Sequence, residues 1–588
     1  MPPAPEPEIL RRNLAALNLT APEVARWLEV SAGRTHPQDE DPPPPEDDIP
    51  LHPALAHHQP QVGGISVVVG AGCLAQVRRL LQTMPPGHQV FLLEHCPDTL
   101  YRGLARWDLE PWLSRGELVI LAPGEDALEK ALARHPQLAL AEQVEFINLS
   151  TCNGDRRAPA AWARLYRVLG HALKARDLAL RWEDPRGLNL VANLVHLALM
   201  GRAAELAGCL KDHPALVLED GPSLEPCLQA LGPHLGGAVV LCSDQALPRV
   251  LEAGIIPSAA VITSPVLGRL SCYSHPYLHQ VPLVAEEVAH AATLRAHPGT
   301  RLVCVGPRGT ALGPFAHMAH WFTPQQHTLG RAVELALVMG CQPILLAGAD
   351  LTCPQGTLQM PAMDGSLVQA DIDQAAAACS LGQILARAAV TLFNTSPHGL
   401  GLPGTRLVDL ENARRLLQPC AGPPVPIPPL ARPAWLQAEE LEDCAHHLRR
   451  AATAATRLWQ RAAAPLADFP PQGDPSRWLA GADALFVALA EQAAADQMQA
   501  AFLEGCLVRA FLRRHHLVCR GHGQGVTLRE ACRDLNLCLA DLESRAHDLA
   551  RGLKDAAERL ARLARARRQG DRAFLAAFAR RLGVVEEV

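Results

Sequence analysis

Five short stretches gather residue types that bind oxyanions and hydroxyl groups. In V-L-E-D-G-P-S-L, Val217 to Leu224, an apolar run stops at Asp220-Gly221-Pro222-Ser223 and an amphipathic segment follows. The pattern predicts a buried strand, a tight turn and a helix start. Gly221 permits a sharp bend and close approach of a ligand, Pro222 fixes φ, and Ser223 is a residue that caps helices. Free N–H groups at such a helix start form a ready site for an anion such as phosphate. Ser243 and Asp244 close a second apolar run, Ser264 a third, Gly348-Ala349-Asp350 a fourth, and Asn394-Thr395 a fifth. Asp244 and Asp350 can hold hydroxyl groups or remove a proton. Each residue taken singly also reads as a cap or turn former; gathered on one edge of a sheet, they read as a site.

The elements that must position these residues alternate regularly. Ala238–Cys242, Ala259–Thr263, Leu302–Val305, Pro343–Ala347 and Val390–Phe393 are apolar along their length. Such strands belong in a parallel sheet covered on both faces, whose C-terminal edge is where open α/β sheets bind ligands. A helix over 330–339 precedes Pro343. Arg331 beside Gly330 reads as a solvated arginine or as a cation offsetting leaving-group charge, and His317 and His320 are candidate bases by nearness in sequence. Upstream, residues 9–29 read as a helix pair and 36–60 as a Pro-rich acidic linker. An apolar strand then runs into Gly70-Ala71-Gly72, and a second, Val90–Leu93, ends at Glu94. That spacing resembles a dinucleotide-binding unit, but Ala75 stands where its third glycine belongs, which favours a plain βα turn without cofactor. Strands are expected at Glu117–Leu121 and Val144–Leu149, and helix over most of 157–200.

Downstream, a Pro cluster at 419–433 reads as a rigid spacer. Beyond it, Leu441, Cys444, Leu448, Ala452, Ala455 and Leu458 step by three and four, and Leu542, Leu549, Leu553, Leu560 and Leu563 make a further stripe. Asp474-Pro475 marks a helix start and Thr527 with Glu530 a capping box. A bundle of roughly three to five helices is expected there, with a basic face from the arginines of 559–581. His515, His516, Cys519 and His522 have metal-like spacing but lack a second paired half, so no metal site is assigned. The expected domains are 1–35 (helical), 36–60 (linker), 61–200 (α/β), 201–418 (α/β), 419–433 (linker) and 434–588 (helical).

The chain has 588 residues and a net charge of -6, so several cores are expected and nucleic acid is not an expected partner. No apolar run reaches the roughly 18–20 residues that span a bilayer. The start, M-P-P-A-P-E-P-E, lacks the basic and apolar regions of a signal peptide. The 17 cysteines are scattered without C-x-x-C. A reducing cytoplasm is the expected compartment.

The central pattern resembles the motility-accessory-factor (Maf) flagellin glycosyltransferases and the 6-hydroxymethylpterin pyrophosphokinases that share their central domain. Gly221-Pro222-Ser223-Leu224 matches the family's G-P-S-L, and Gly254-Ile255-Ile256-Pro257 its G-I-x-P. Gly330 through Gly348-Ala349-Asp350-Leu351 matches a glycine-opened helix, a strand and G-x-D-L. Asn394-Thr395 with Gly399 and Gly404 matches part of its closing segment. The resemblance covers about residues 215–412. It implies an α/β protein with an N-terminal Rossmann-like domain, a central sialyltransferase-like parallel-sheet domain and a C-terminal helical bundle. It further implies a site role for Asp350 and donor or phosphate binding by Gly221, Pro222, Ser223, Gly254, Gly348, Asn394 and Thr395, but carries over no general base. Ser243 and Asp244 are added from the strand ends, and Asp350 and Asp244 are the candidate catalytic residues. The implied activity moves a nonulosonic sugar from a CMP-activated donor to Ser or Thr of a flagellin-type acceptor, with no cofactor required. Mg²⁺ belongs only to the alternative, a pyrophosphokinase; a further alternative is a non-catalytic nucleotide-sugar-binding relative. The sequence departs from the family at Asp220, where glycine is usual, and at Ser258 and Ser264, where acids are usual.

Overall fold

The computed structural model describes residues 8–32, 55, 58–60, 63–70, 74–85, 87–94, 96–121, 144–149, 167, 183–197, 200–267, 275–304, 327–356, 358–388, 390, 392–417, 422–428, 437–469, 474–495 and 528–581. His317, His320, Thr527, the 36–54 part of the acidic linker, and the His515–His522 group lie outside these residues. Contacts divide the chain into two units, 1–172 with 510–534 and 173–509 with 535–588.

In the first unit, helices α1 (Glu8–Thr20) and α2 (Pro22–Ala32) form the expected pair. A parallel sheet follows, built from β1 (Ile65–Val69), β2 (Gln89–Leu93), β3 (Leu118–Leu121) and β4 (Val144–Asn148) in the order β3-β2-β1-β4. Helices α3 (Ala75–Thr83), α4 (Pro97–Arg106) and α5 (Glu110–Ser114) connect its first three strands. Leu10, Leu17, Val24 and Leu28 of the helix pair share one core with Val68, Leu74, Leu92 and Leu104. Glu94 is buried and accepts the Cys96 amide, which fixes the bend after β2.

The second unit holds a nine-stranded parallel sheet. Its strands are β5 (Gly201–Arg202), β6 (Ala215–Leu218), β7 (Val239–Ser243), β8 (Ala259–Ile262), β9 (Leu283–Glu286), β10 (Arg301–Cys304), β11 (Ile344–Ala347), β14 (Leu392–Asn394) and β15 (Thr405–Leu407). The order is β15-β14-β11-β6-β7-β8-β9-β10-β5. Strands β6, β7, β8 and β11 are buried at every residue, as two covered faces require. The chain runs outward from β6 through β10 on one side, then returns to lay β11, β14 and β15 on the other. The connections after β6 and β11 therefore diverge, which makes this pair the topological switch point of the sheet. The connecting helices used below are α6 (Glu183–Leu197), α7 (Leu224–Leu231), α8 (Leu247–Glu252), α9 (Ala291–Ala296), α10 (Thr328–Val338) and α11 (Ile372–Ala388). A hairpin, β12 (Leu358–Pro361) and β13 (Leu367–Ala370), lies between β11 and β14.

Three sequence expectations change. Helix α6 belongs with the second unit and not with the first, because Leu190, Leu194 and Leu197 share a core with Val288 and Val303 of the sheet region. The expected C-terminal helical region is present, but its core is shared: Leu441, Leu448 and Ala455 of α12 (Ala438–Leu466), and Leu549, Leu553, Leu560 and Leu563 of the long helix Leu528–Gln569, bury their stripes in that same cluster. The described part of the Pro cluster, 422–428, is pinned to the sheet: the Val425 amide donates to Ala238 O at 2.8 Å and the Ser258 hydroxyl donates to Val425 O at 2.5 Å. Asp474-Pro475 does open a helix, and Asp474 accepts the Ser476 amide.

Two buried histidines give this unit an acid limit. Burial, then the charges of Arg301, Arg295 and Arg559, lower the pKa of His196 to about 4. Burial, opposed by the Val281 carbonyl it donates to and reinforced by Arg301, lowers His297 to about 4. Both bind protons more weakly folded than unfolded, so stability is full above the unfolded value near 6.5 and falls as pH drops towards 4. The urea midpoint is expected to be lower at pH 5 than at pH 7.5, and His196→Gln with His297→Gln is expected to flatten that dependence.

Candidate active site

The turn after β6 meets the turn after β11 at the switch point. Gly221 sits against the Gly348 carbonyl: a Cβ there would stand 2.2 Å from Gly348 O and 2.3 Å from Asp350 Oδ2. Gly348 has φ +70° and a Cβ on it would lie 2.0 Å from Glu219 O. Both glycines are therefore demanded by backbone meeting backbone, with nothing flexible to yield. Gly348→Ala is expected to cost roughly 3 kcal/mol of stability, the sum of overpacking and left-handed strain, read as a drop in the urea midpoint.

That close approach brings Ser223 to Asp350. The Ser223 amide donates to Asp350 Oδ2 at 2.9 Å and its hydroxyl donates to the same oxygen at 2.7 Å. With that proton committed, the Ser396 hydroxyl, 2.7 Å from Ser223 Oγ, donates to it. The result is a chain from Ser396 through Ser223 to Asp350 that fixes one carboxylate oxygen. Oδ1 of Asp350 has no protein hydrogen bond among the described residues. Asp350 is further seated by Leu400, whose amide donates to the Asp350 carbonyl at 2.7 Å.

This arrangement corrects the expected role of the turn. Ser223 does not cap α7 with its side chain, and its amide is not open to a phosphate. Both groups orient Asp350 instead. Pro222 is exposed at the tip. Asn394 and Thr395 end β14, next to β11. Thr395 bonds inward, its amide and hydroxyl both donating to Leu346 O at 3.0 Å, with its Oγ1 3.3 Å from Cys227 Sγ. Burial raises the Cys227 thiol pKa, which leaves it a packing partner and not a nucleophile. Asn394 accepts the Ser396 amide through Oδ1, while its buried Nδ2 has no partner among the described residues.

On the other side of β6, Ser243 donates to Glu219 Oε1 at 2.8 Å and accepts the Ala246 amide, so it ties the β6 and β7 ends together. Glu219 Oε2 is buried without a partner among the described residues. Buried polar atoms of this kind each cost about 1–3 kcal/mol and mark places where water or ligand is needed. Asp244 stands at the end of β7, with β6 between its strand and that of Asp350. Gly254 is not brought to this edge: it follows α8, has φ +74°, and precedes β8, so it turns the chain at the opposite edge of the sheet. Ser258 is likewise at that opposite edge.

Two residues that sequence reasoning missed complete the picture. Arg249 on α8 pairs with Asp220 at 3.0 Å, reaches the Gly221 carbonyl at 3.4 Å and lies 3.8 Å from Glu225. It is the basic group that makes an acidic E-D-G turn tolerable. Ser396, fully buried, is the second. Neither carries a local signal in the sequence. Arg331 is neither solvated nor open to a leaving group: it is 1% exposed and held by Glu286 at 2.6 Å and Glu334 at 2.6 Å.

The carboxylates at this edge do not fit a preformed Mg²⁺ site. One oxygen of Asp350 takes Ser223, one of Glu219 takes Ser243, Asp220 takes Arg249, and no metal-binding group of three acidic, His or Cys residues gathers among the described residues.

Residues 188–356 match the model of the 6-hydroxymethylpterin diphosphokinase MptE-like family. The chain thus carries an MptE-like domain, and the resemblance read from its sequence stands at the domain on which it rested. Among solved structures it is similar to the Maf glycosyltransferase from Magnetospirillum magneticum AMB-1, at 14% identity and TM-score 0.39, over 95% of this chain and 96% of that one. No curated protein matches the sequence. No described helix is long and apolar enough to cross a membrane.

Proposed function

We propose that this protein is a Maf-like glycosyltransferase that moves a nonulosonic, sialic-acid-like sugar from a CMP-activated donor to Ser or Thr of a flagellin-type acceptor, in the cytoplasm. The observation that carries the reading is the split role of Asp350 at the switch point, one oxygen held by Ser223 and the other left for a ligand. In the proposed step the acceptor hydroxyl oxygen bonds to the anomeric carbon, and the bond from that carbon to the phosphate oxygen breaks. CMP leaves with the electron pair, and the hydroxyl proton passes to Asp350 Oδ1. The protein's part is to position and to accept one proton, which needs no cofactor. Asn394, whose Nδ2 lacks a hydrogen-bond partner among the described residues, and Asp244 are the proposed binders of ribose or sugar hydroxyls. The leaving phosphate falls beside the Gly221 turn, where Arg249 offsets the charge of Asp220.

The family description favours a second reading, transfer of a diphosphate to a pterin alcohol with Mg²⁺. The prior commitments of Asp350, Glu219 and Asp220 weigh against it. Calorimetric titration separates the two: CMP is expected to bind without Mg²⁺, whereas tight binding of ATP or GTP only with Mg²⁺ would replace this reading with the second. Binding of CMP without transfer to any acceptor would make the protein a non-catalytic relative. Ser223→Ala is expected to lower transfer about 10- to 100-fold, the loss of one charge-assisted hydrogen bond that orients Asp350.

A further inference from the structure

A cavity of about 580 Å³ shares no lining residue with the Asp350 site. It lies between α6, α9 and the stretch 545–559 of the long C-terminal helix. Its volume is within the usual range of small-molecule sites, about 300–1,000 Å³. Val191, Val195, Leu549 and Ala556 give it an apolar floor, and Arg295, Arg545, Arg551 and Arg559 line it with guanidinium groups.

The charges do not cancel. Asp548 pairs with Arg551 at 3.3 Å and Asp555 with Arg559 at 2.8 Å. Asp541, outside the lining, pairs with Arg545 at 3.7 Å. Arg295 has no carboxylate partner among the described residues. His196 lines the same cavity, is 3% exposed, and its Nδ1 has no hydrogen-bond partner among the described residues. A buried ring nitrogen without a partner, under a surplus of guanidinium groups, points to a ligand that brings oxygen atoms.

We infer that this cleft is a second binding site, for a small organic anion that joins a phosphate or carboxylate group to an apolar body. The apolar part lies on Val191, Val195 and Leu549, and the anionic group meets Arg295 and the His196 ring.

Phenyl phosphate and benzoate are the probes, titrated by calorimetry into the full chain. One saturable site is expected for at least one of them, and the stronger probe distinguishes a phosphate ligand from a carboxylate one. Arg295→Gln, at an exposed position, is expected to weaken binding at least tenfold. Ala192→Trp, also exposed and on the lining, is expected to abolish it by filling the cleft. The His196 ring nitrogen signals are expected to shift on binding in the unsubstituted protein. Absence of saturable binding by either probe, or binding unchanged by both substitutions, overturns the inference. None of these readouts involves transfer chemistry, so the result is independent of the activity proposed for Asp350.

Discussion

Asp350→Asn is expected to reduce sugar transfer about 100- to 10,000-fold, the range in which a lost general base acts, with the protein still folded. Asparagine keeps the shape of the side chain, and its amide oxygen can still take the Ser223 amide and hydroxyl that now bond Oδ2 at 2.9 and 2.7 Å. What it loses is the second carboxylate oxygen, the one left for the acceptor. Donor binding is therefore expected to persist while turnover collapses, so kcat carries the loss and KM for the donor changes little. Ser223→Ala is the informative comparison. It keeps the carboxylate but frees its orientation, so its smaller loss and that of Asp350→Asn are expected not to add in the double variant. Additive losses would mean that Ser223 and Asp350 act separately.

The second large effect is on stability. Arg331→Met is expected to cost about 3–5 kcal/mol, because it strands the buried carboxylates Glu286 and Glu334. Arg331 Nε and Nη2 both donate to Glu286 Oε1, at 3.0 and 2.6 Å, and Nη1 donates to Glu334 Oε2. The triad fastens the first turn of α10 to the end of β9, on the edge of the sheet that carries the site. Its loss is expected to appear as a lower urea midpoint. Replacing all three residues, with Arg331→Met, Glu286→Leu and Glu334→Leu, is expected to recover most of the stability, since burying a satisfied ion triad gains little over apolar packing. Failure of that recovery would assign the triad a role beyond charge compensation.

The strands were legible in the sequence because burial on both faces leaves a plain mark. Ala215–Leu218 and Ile344–Ala347 are unbroken apolar runs bounded by turn residues, and both are strands of the parallel sheet. The glycines of the site were legible as types; the reason for them, one backbone against another, requires β6 and β11 to be neighbours. That pairing joins residues more than a hundred positions apart, so no local pattern holds it. The same distance hid the bond between Ser223 and Asp350, and local reading gave Ser223 the commonest task of a serine at a helix start. Arg249 and Ser396 act only through their neighbours in space. Gly254 misled for the opposite reason: its G-I-x-P motif is a good turn, but the turn lies before a strand, at the edge away from the site. The sequence of α6 reads as helix, and that reading does not say that Leu441 and Leu549 share its core.

The central claim is that the contact of Ser223 with Asp350 marks where an activated sugar is held. A crystal structure of the protein soaked with CMP tests it most directly. The account predicts the nucleotide in the crevice beyond β6 and β11, with Asp350 still held by Ser223 and a ribose or phosphate oxygen within hydrogen-bond distance of Asp350 or Asn394. CMP bound elsewhere, with that crevice filled by side chains of the protein itself, would contradict it.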